Sequence, residues 1–156
     1  MNPQLVKAFE IRCSVAKPSL IGQDAIAGRR QLIAITDGEL LGFALPWHGT
    51  VLPCGVDSQV VRPNGRAELS ARYGVKLDTG ASFYIQNDGI RTVPPEYVET
   101  VLSGGIAPAE VYYCVTTPSF EIYDESLSVL MDKVFFCNAT RYPDSICLEY
   151  YMIVVE

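Results

Sequence analysis

Asp57 and Gln59 stand two residues apart in the run Asp57 to Arg62, so on a strand they share one face. A carboxylate beside an orienting amide can give and take a proton while being held in place. A turn-capping Asp or an exposed strand edge is the competing reading. Glu121 follows Phe120 in the segment Pro118-Ser119-Phe120-Glu121. An aromatic neighbour can raise its pKa and make it an acid, whereas Arg72 or Arg91 would make it half of a salt bridge. Glu68, Ser70 and Arg72 form one face of a segment whose other face is Ala67, Leu69, Ala71, Tyr73 and Val75. Polar side out is the simple arrangement. The lumen of a ligand-holding barrel can itself be partly polar, so Arg72 is also read as inward. There it would pair with Asp57 or Glu121, or anchor a ligand oxygen. Tyr113 can donate a hydrogen bond to a substrate carbonyl or pack as a core aromatic. Trp47-His48 offers an aromatic wall and a proton shuttle, or a surface loop. Asn87 and Arg91 bracket a glycine and read as turn geometry and surface charge.

Signatures of other chemistries are missing. The chain has no GxGxxG, P-loop or GxSxG, a single histidine (His48), and cysteines without zinc spacing. Neither a metal nor a nucleotide cofactor is expected. Carboxylate, tyrosine and arginine groups can still do acid–base work unaided. Lys plus Arg number 12 against 18 Asp plus Glu, a formal charge of −6. Such a surface lacks the footprint for a phosphate backbone, so no nucleic acid partner is expected. Hydrophobic residues make up 49% and charged residues 19% of the 156. That balance fits one folded domain over residues 1–156. No apolar run approaches the roughly 18 residues of a spanning helix, so no membrane partner is expected.

The elements that must position these groups are short strands between turns. Gln31 to Thr36, then Asp37-Gly38, then Glu39 to Leu45 predicts a hairpin. Asp57 to Arg62, Arg66 to Leu77 and Ala81 to Gln86 follow, separated by Pro63-Asn64-Gly65 and Asp78-Thr79-Gly80. Asn87-Asp88-Gly89 reads as a further turn, so residues 57–91 read as an antiparallel meander. Val111 to Thr116, Val134 to Asn138 and Ile146 to Val155 look like later strands, and Pro94 to Leu102 and Asp124 to Met131 like short helices. Many short strands at this spacing favour a sandwich or barrel.

The stretch Gly49-Thr-Val-Leu-Pro-Cys-Gly-Val-Asp57 resembles the G-x-L-P-G-G-x-D-W signature of the DUF3237 (UPF0311) family. Ala71-Arg72-Tyr73, Asp78-Thr79-Gly80, Asn87-Asp88-Gly89-Ile90-Arg91, Tyr112-Tyr113 and Pro118-Ser119-Phe120-Glu121 follow in the family's order, and the resemblance covers residues 28–155. Ser58 stands where the family usually has Trp, and Cys114 and Val115 where it often has Phe-Arg. The resemblance implies an all-β, antiparallel β-barrel of about 8–10 strands, with one or two short helices and a central cavity. Some fungal relatives look like ring-closing enzymes of secondary metabolism that need no redox cofactor.

Adding a hydroxyl oxygen across an alkene is one such reaction. It needs an acid to protonate carbon, a base to take the hydroxyl proton, and a wall that fixes the substrate's face. The expectation is a cofactor-free cyclase or isomerase acting on an aromatic polyketide-like small molecule. Asp57, Arg72, Glu121 and Tyr113 would be its catalytic groups, and Trp47, Gln59, Tyr73 and Phe120 would shape its pocket. A non-catalytic, lipocalin-like binding protein is the alternative. Exposed strand edges make a homo-oligomer plausible. The polar stretch MNPQLVKAFEIRC does not read as a secretory signal, so a cytoplasmic location is expected. The cysteines are odd in number and widely spaced, which points to reduced thiols. Titration of the denatured, unreduced protein is expected to find all five. A stable intramolecular disulfide would overturn that reading.

Overall fold

The computed structural model describes residues 1–156. Eleven strands account for most of the chain: β1 (Pro3–Ser14), β2 (Ser19–Asp24), β3 (Gly28–Ile35), β4 (Glu39–Gly42), β5 (His48–Val51), β6 (Gly55–Val61), β7 (Ala67–Leu77), β8 (Ser82–Thr92), β9 (Tyr113–Ile122), β10 (Phe135–Arg141) and β11 (Ser145–Val155). Two short helices, α1 (Val98–Leu102) and α2 (Val129–Asp132), each follow a single 3-10 turn. No helix is long and apolar enough to cross a membrane.

Every strand pairing is antiparallel. The ring closes through eight strands, in the order β7, β5, β4, β1, β11, β10, β9, β8 and back to β7. The long strand β7 makes the closure possible. Its first part, Ala67 to Arg72, pairs with β6, and its last part, Val75 to Leu77, pairs on the same edge with β5. Beyond β6 the sheet continues to β3 and β2. An isolated bridge between Ile35 and Val15 ties the end of β3 to the chain just past β1. One end of the barrel is therefore walled by β4 and β5, and the other by β3 and β6.

The two ends are filled differently. At the β4–β5 end the Phe9 ring stacks on Tyr150 at 4.8 Å between centroids and lies 6.1 Å from Trp47 and 6.3 Å from Phe83. Phe120 meets Phe135 edge-on at 5.3 Å. Offset and edge contacts of this kind let large rings fill a barrel without voids. The other end has smaller inward residues and stays open inside.

Two turn expectations are corrected. β3 and β4 do not form a hairpin across Asp37-Gly38. Both edges of β3 are taken by β2 and β6, and both edges of β4 by β1 and β5. Asn87-Asp88-Gly89 is not a turn either, because β8 runs straight through it. Gly89 serves close approach instead: a Cβ there would lie 2.4 Å from the Val115 carbonyl oxygen on β9. The first strand, β1, lies in a stretch whose sequence gave no strand expectation.

Gly28 opens β3 with φ +88°, and a Cβ at that position would sit 2.0 Å from the Val61 carbonyl oxygen. Gly28→Ala is therefore expected to cost at least about 1–2 kcal/mol, the scale of a left-handed L-residue alone. Urea unfolding would read this as a lower midpoint at unchanged slope. An unchanged midpoint would contradict the β3–β6 approach described here.

Candidate functional site

The open end of the barrel encloses a cavity in which water centres could occupy ≈ 60 Å³. Eight wall segments contribute to it. Its apolar lining includes Ile33, Ile35, Leu69, Ala71, Ala139 and Leu148, and its polar lining is Asp57, Gln59, Tyr73, Asn87, Arg91, Thr116 and Arg141 with the thiols of Cys13 and Cys114. Small residues at Ala71 and Ala139 leave the space. Tyr73 lines the cavity and is backed by a second phenol, Tyr150. The Tyr73 and Tyr150 hydroxyls lie 2.7 Å apart, and the Asn87 side-chain amide donates to the Tyr150 oxygen at 3.3 Å. Burial holds both phenols well above the ordinary tyrosine pKa, so they stay protonated.

Asp57 is reached by a chain of side-chain hydrogen bonds that all run one way. Arg29 Nε donates to Gln31 Oε1 at 2.6 Å. Gln31 Nε2 donates to Gln59 Oε1 at 2.9 Å, and Gln59 Nε2 donates to Asp57 Oδ2 at 2.6 Å. Strand parity puts these groups on one face. Gln31 lies opposite Gln59 in the β3–β6 register, and Ile33 lies opposite Asp57. A cationic donor at the far end fixes the orientation of both amides, so each presents its donor toward the carboxyl. Arg29 is itself seated on the turn after α1, where a Cβ on Gly104 would lie 2.7 Å from its Nη2.

Burial pushes the Asp57 carboxyl above the usual aspartate range. The Gln59 amide, the Arg91 charge and the Ser70 backbone amide oppose that shift without cancelling it. Oδ1 of Asp57 is shielded from solvent and has no hydrogen-bond partner. Three further atoms in the same lining share that condition: Asn87 Oδ1, Arg91 Nε and Thr116 Oγ1. Buried polar atoms are nearly always paired, so four without a protein partner around one small space are available to whatever occupies it, water or ligand. The neighbouring thiols are poor nucleophiles. Burial raises Cys13 to about 12 and Cys114 to about 11.

The sequence candidates divide into three groups. Asp57, Gln59 and Tyr73 line the cavity together. Arg72, Glu121 and Tyr113 do not, and the expectation that they face it is corrected. On β7 the inward places go to Leu69, Ala71 and Tyr73, so Arg72 projects outward and is exposed. On β9 they go to Cys114, Thr116 and Phe120, which turns Tyr113 and Glu121 to the outside. The Glu121 carboxylate accepts a hydrogen bond from the Tyr123 hydroxyl at 3.1 Å. Trp47 and Phe120, expected as pocket walls, belong to the aromatic packing at the opposite end. His48 is exposed there, between Glu39 at 2.7 Å and Asp78 at 2.6 Å.

Sequence reasoning missed Arg91, Asn87, Thr116, Arg141, Gln31 and Arg29. Alternation was the available signal. Phe83 and Ile85 are plainly core residues, and the same parity continued through the apparent turn reaches Asn87 and Arg91. Phe135, Cys137 and Ala139 lead in the same way to Arg141.

The raised pKa of Asp57 has a testable sign. A carboxyl with a raised folded pKa contributes stability below its unfolded value of about 3.9, and loses it as pH rises through the folded value. Asp57→Asn removes that penalty while keeping an acceptor for Gln59. The melting temperature of the variant minus that of wild type is expected to increase as pH rises from about 4 toward neutrality. A difference that is flat or shrinks with pH would contradict the burial described here.

Known proteins share both sequence and architecture with this chain. Residues 3–155 match the family described as "Protein of unknown function (DUF3237)". A UPF0311 protein of Clostridium acetobutylicum is 50% identical over 147 residues, covering 94% of this chain and 92% of the relative. The crystal structure of a protein of unknown function from the same organism superposes with a TM-score of 0.94 at 47% identity, over 99% of both chains. An enzyme from Penicillium herquei shares the fold, with a TM-score of 0.73 at 17% identity over 99% of this chain and 96% of that one. Sequence match and barrel agree over nearly the whole length, and the chain belongs to the DUF3237 family.

Proposed function

We propose that this barrel is a cofactor-independent acid/base enzyme acting on a small molecule, with Asp57 as its proton carrier. The observation that carries the reading is the asymmetry of one carboxyl. Asp57 Oδ2 is held by Gln59, while Oδ1 is shielded, unpaired and at the cavity wall. One oxygen is fixed and the other is free to exchange a proton. Burial keeps the group protonated to higher pH than an ordinary aspartate, which suits an acid.

A single carboxyl suffices for a redox-neutral ring closure. The acid form gives its proton to an alkene carbon, and a hydroxyl oxygen of the same substrate bonds to the adjacent carbon. The carboxylate so formed then takes the hydroxyl proton. One proton enters the substrate and one leaves, so the carboxyl ends as it began. This replaces the expected pair of carboxylates by one. It is a reading for the ring-closing class, and the shared fold of the Penicillium herquei enzyme supports it only as an analogy.

The mostly apolar wall favours, as a second reading, a protein that holds a ligand without changing it. The two separate in heavy water. Wild type incubated with small phenols or enols that carry a neighbouring alkene is expected to give cyclised product with one deuterium at carbon. Asp57→Asn is expected to slow this by about 10²-fold or more. Binding without conversion by both proteins would favour the holder, and equal turnover by both would remove Asp57 from the chemistry.

A further inference from the structure

The cavity holds more positive charge than the proposed proton transfer uses. Arg91 and Arg141 both line it, and their relative exposures are 8% and 9%. Neither takes part in any of the six ion pairs of the chain. Arg91 makes no side-chain hydrogen bond that satisfies its Nε, and its guanidinium lies 5.4 Å from the centre of the Tyr112 ring. Arg141 Nη1 donates only to backbone carbonyls, those of Tyr142 and Ser145. Burial depresses the Arg141 pKa; Tyr112 opposes that effect and the like charge of Arg91 adds to it. Asp57 is the one carboxylate in the lining, and its proton is the one the proposed chemistry lends and regains.

Two guanidiniums removed from water and facing one small space are costly unless an anion joins them. An arginine fork matches a planar pair of oxygens better than a spherical ion. Thr116 Oγ1 and the Arg91 Nε give further donors beside that position, and Asn87 Oδ1 is an acceptor able to take a hydroxyl.

We infer that Arg91 and Arg141 form an anion subsite, and that the molecule this barrel takes carries a carboxylate or an equally acidic enol oxygen. The inference rests on reading the cavity as a small-molecule site and adds the class of ligand. It also fits the division of labour at the wall. The arginines hold the charged end of the ligand, and Asp57, on β6 across β7 from Arg91, meets its neutral end. The space available favours a short acid, or the acidic end of a longer molecule that reaches the opening.

Isothermal titration with the monocarboxylates acetate, propionate and benzoate, each against its neutral amide, tests the assignment. Wild type is expected to bind at least one of the acids about tenfold or more tightly than the matching amide, the scale of one charge-assisted hydrogen bond. Arg91→Gln and Arg141→Gln should each abolish that preference, and Arg91→Lys should retain part of it. The wild-type comparison stands even if a glutamine variant fails to fold. Equal affinity for acid and amide, or no binding of any acid, overturns the anion subsite. Asp57→Asn should keep the acid preference. A barrel that prefers acids yet turns over equally with Asp57→Asn would retain the subsite and lose the proton carrier. A barrel that loses turnover with that variant but shows no acid preference would do the reverse.

Discussion

A single edge of β7 is divided between two neighbours, and the shape of the molecule follows from that division. Its first six residues pair with β6 and its last three with β5. A strand that kept one neighbour along its whole length would make a uniform tube. Here the wall changes composition partway along the axis. One end is built on the short strands β4 and β5, and the other on β6 and β3, with the Val15–Ile35 bridge closing the seam. The aromatic side chains of the core pack in the first end. The second is lined by aliphatic side chains and polar groups, and the latter include every unpaired polar atom named above.

The cavity concentrates polar groups in pairs of opposite tendency. Burial raises the proton affinity of Asp57 and lowers that of Arg141, so both groups are pressed toward neutrality. The Arg29–Gln31–Gln59 chain works against this for Asp57 by delivering a donor to one of its oxygens. Removing Arg29 would leave Gln31 free to turn, and with it the polarity of every bond down to the carboxyl. The chain also spans distance, since Arg29 touches the turn after α1 while Asp57 faces the interior. A helix that contributes nothing to the cavity lining thereby bears on the orientation of its central acid.

Much of the architecture was legible in the sequence, because β-branched runs, Asn-Gly and Thr-Gly turns and the Pro-led helix α1 act locally. Strands β6, β7, β10 and β11 lie close to where alternation puts them, while β8 and β9 run on well past their expected ends at Gln86 and Thr116. The pairing of Asp57 with Gln59 on one face was also legible, since two residues of separation admit no other arrangement on a strand. The misses came where a local signal had two meanings. Asp37-Gly38 has the composition of a hairpin, yet it links two strands whose edges are already occupied. Asn87-Asp88-Gly89 has the composition of a turn, yet Gly89 is needed for the approach of β9. Misreading that triplet hid Arg91, and the inward cation was sought instead in Arg72, on the strength of its place in the Ala71-Arg72-Tyr73 motif. Which face of a polar strand points inward depends on partners far away in the chain, and no local pattern reports them.

The aromatic end of the barrel also governs traffic. Phe9, Tyr150, Trp47 and Phe83 close that end, with the Tyr73–Tyr150 hydroxyl pair as the last polar contact before them. A molecule in the cavity has no through-route along the barrel axis. If the barrel turns over a substrate as proposed, product and substrate contend for that one space, and product inhibition is the consequence.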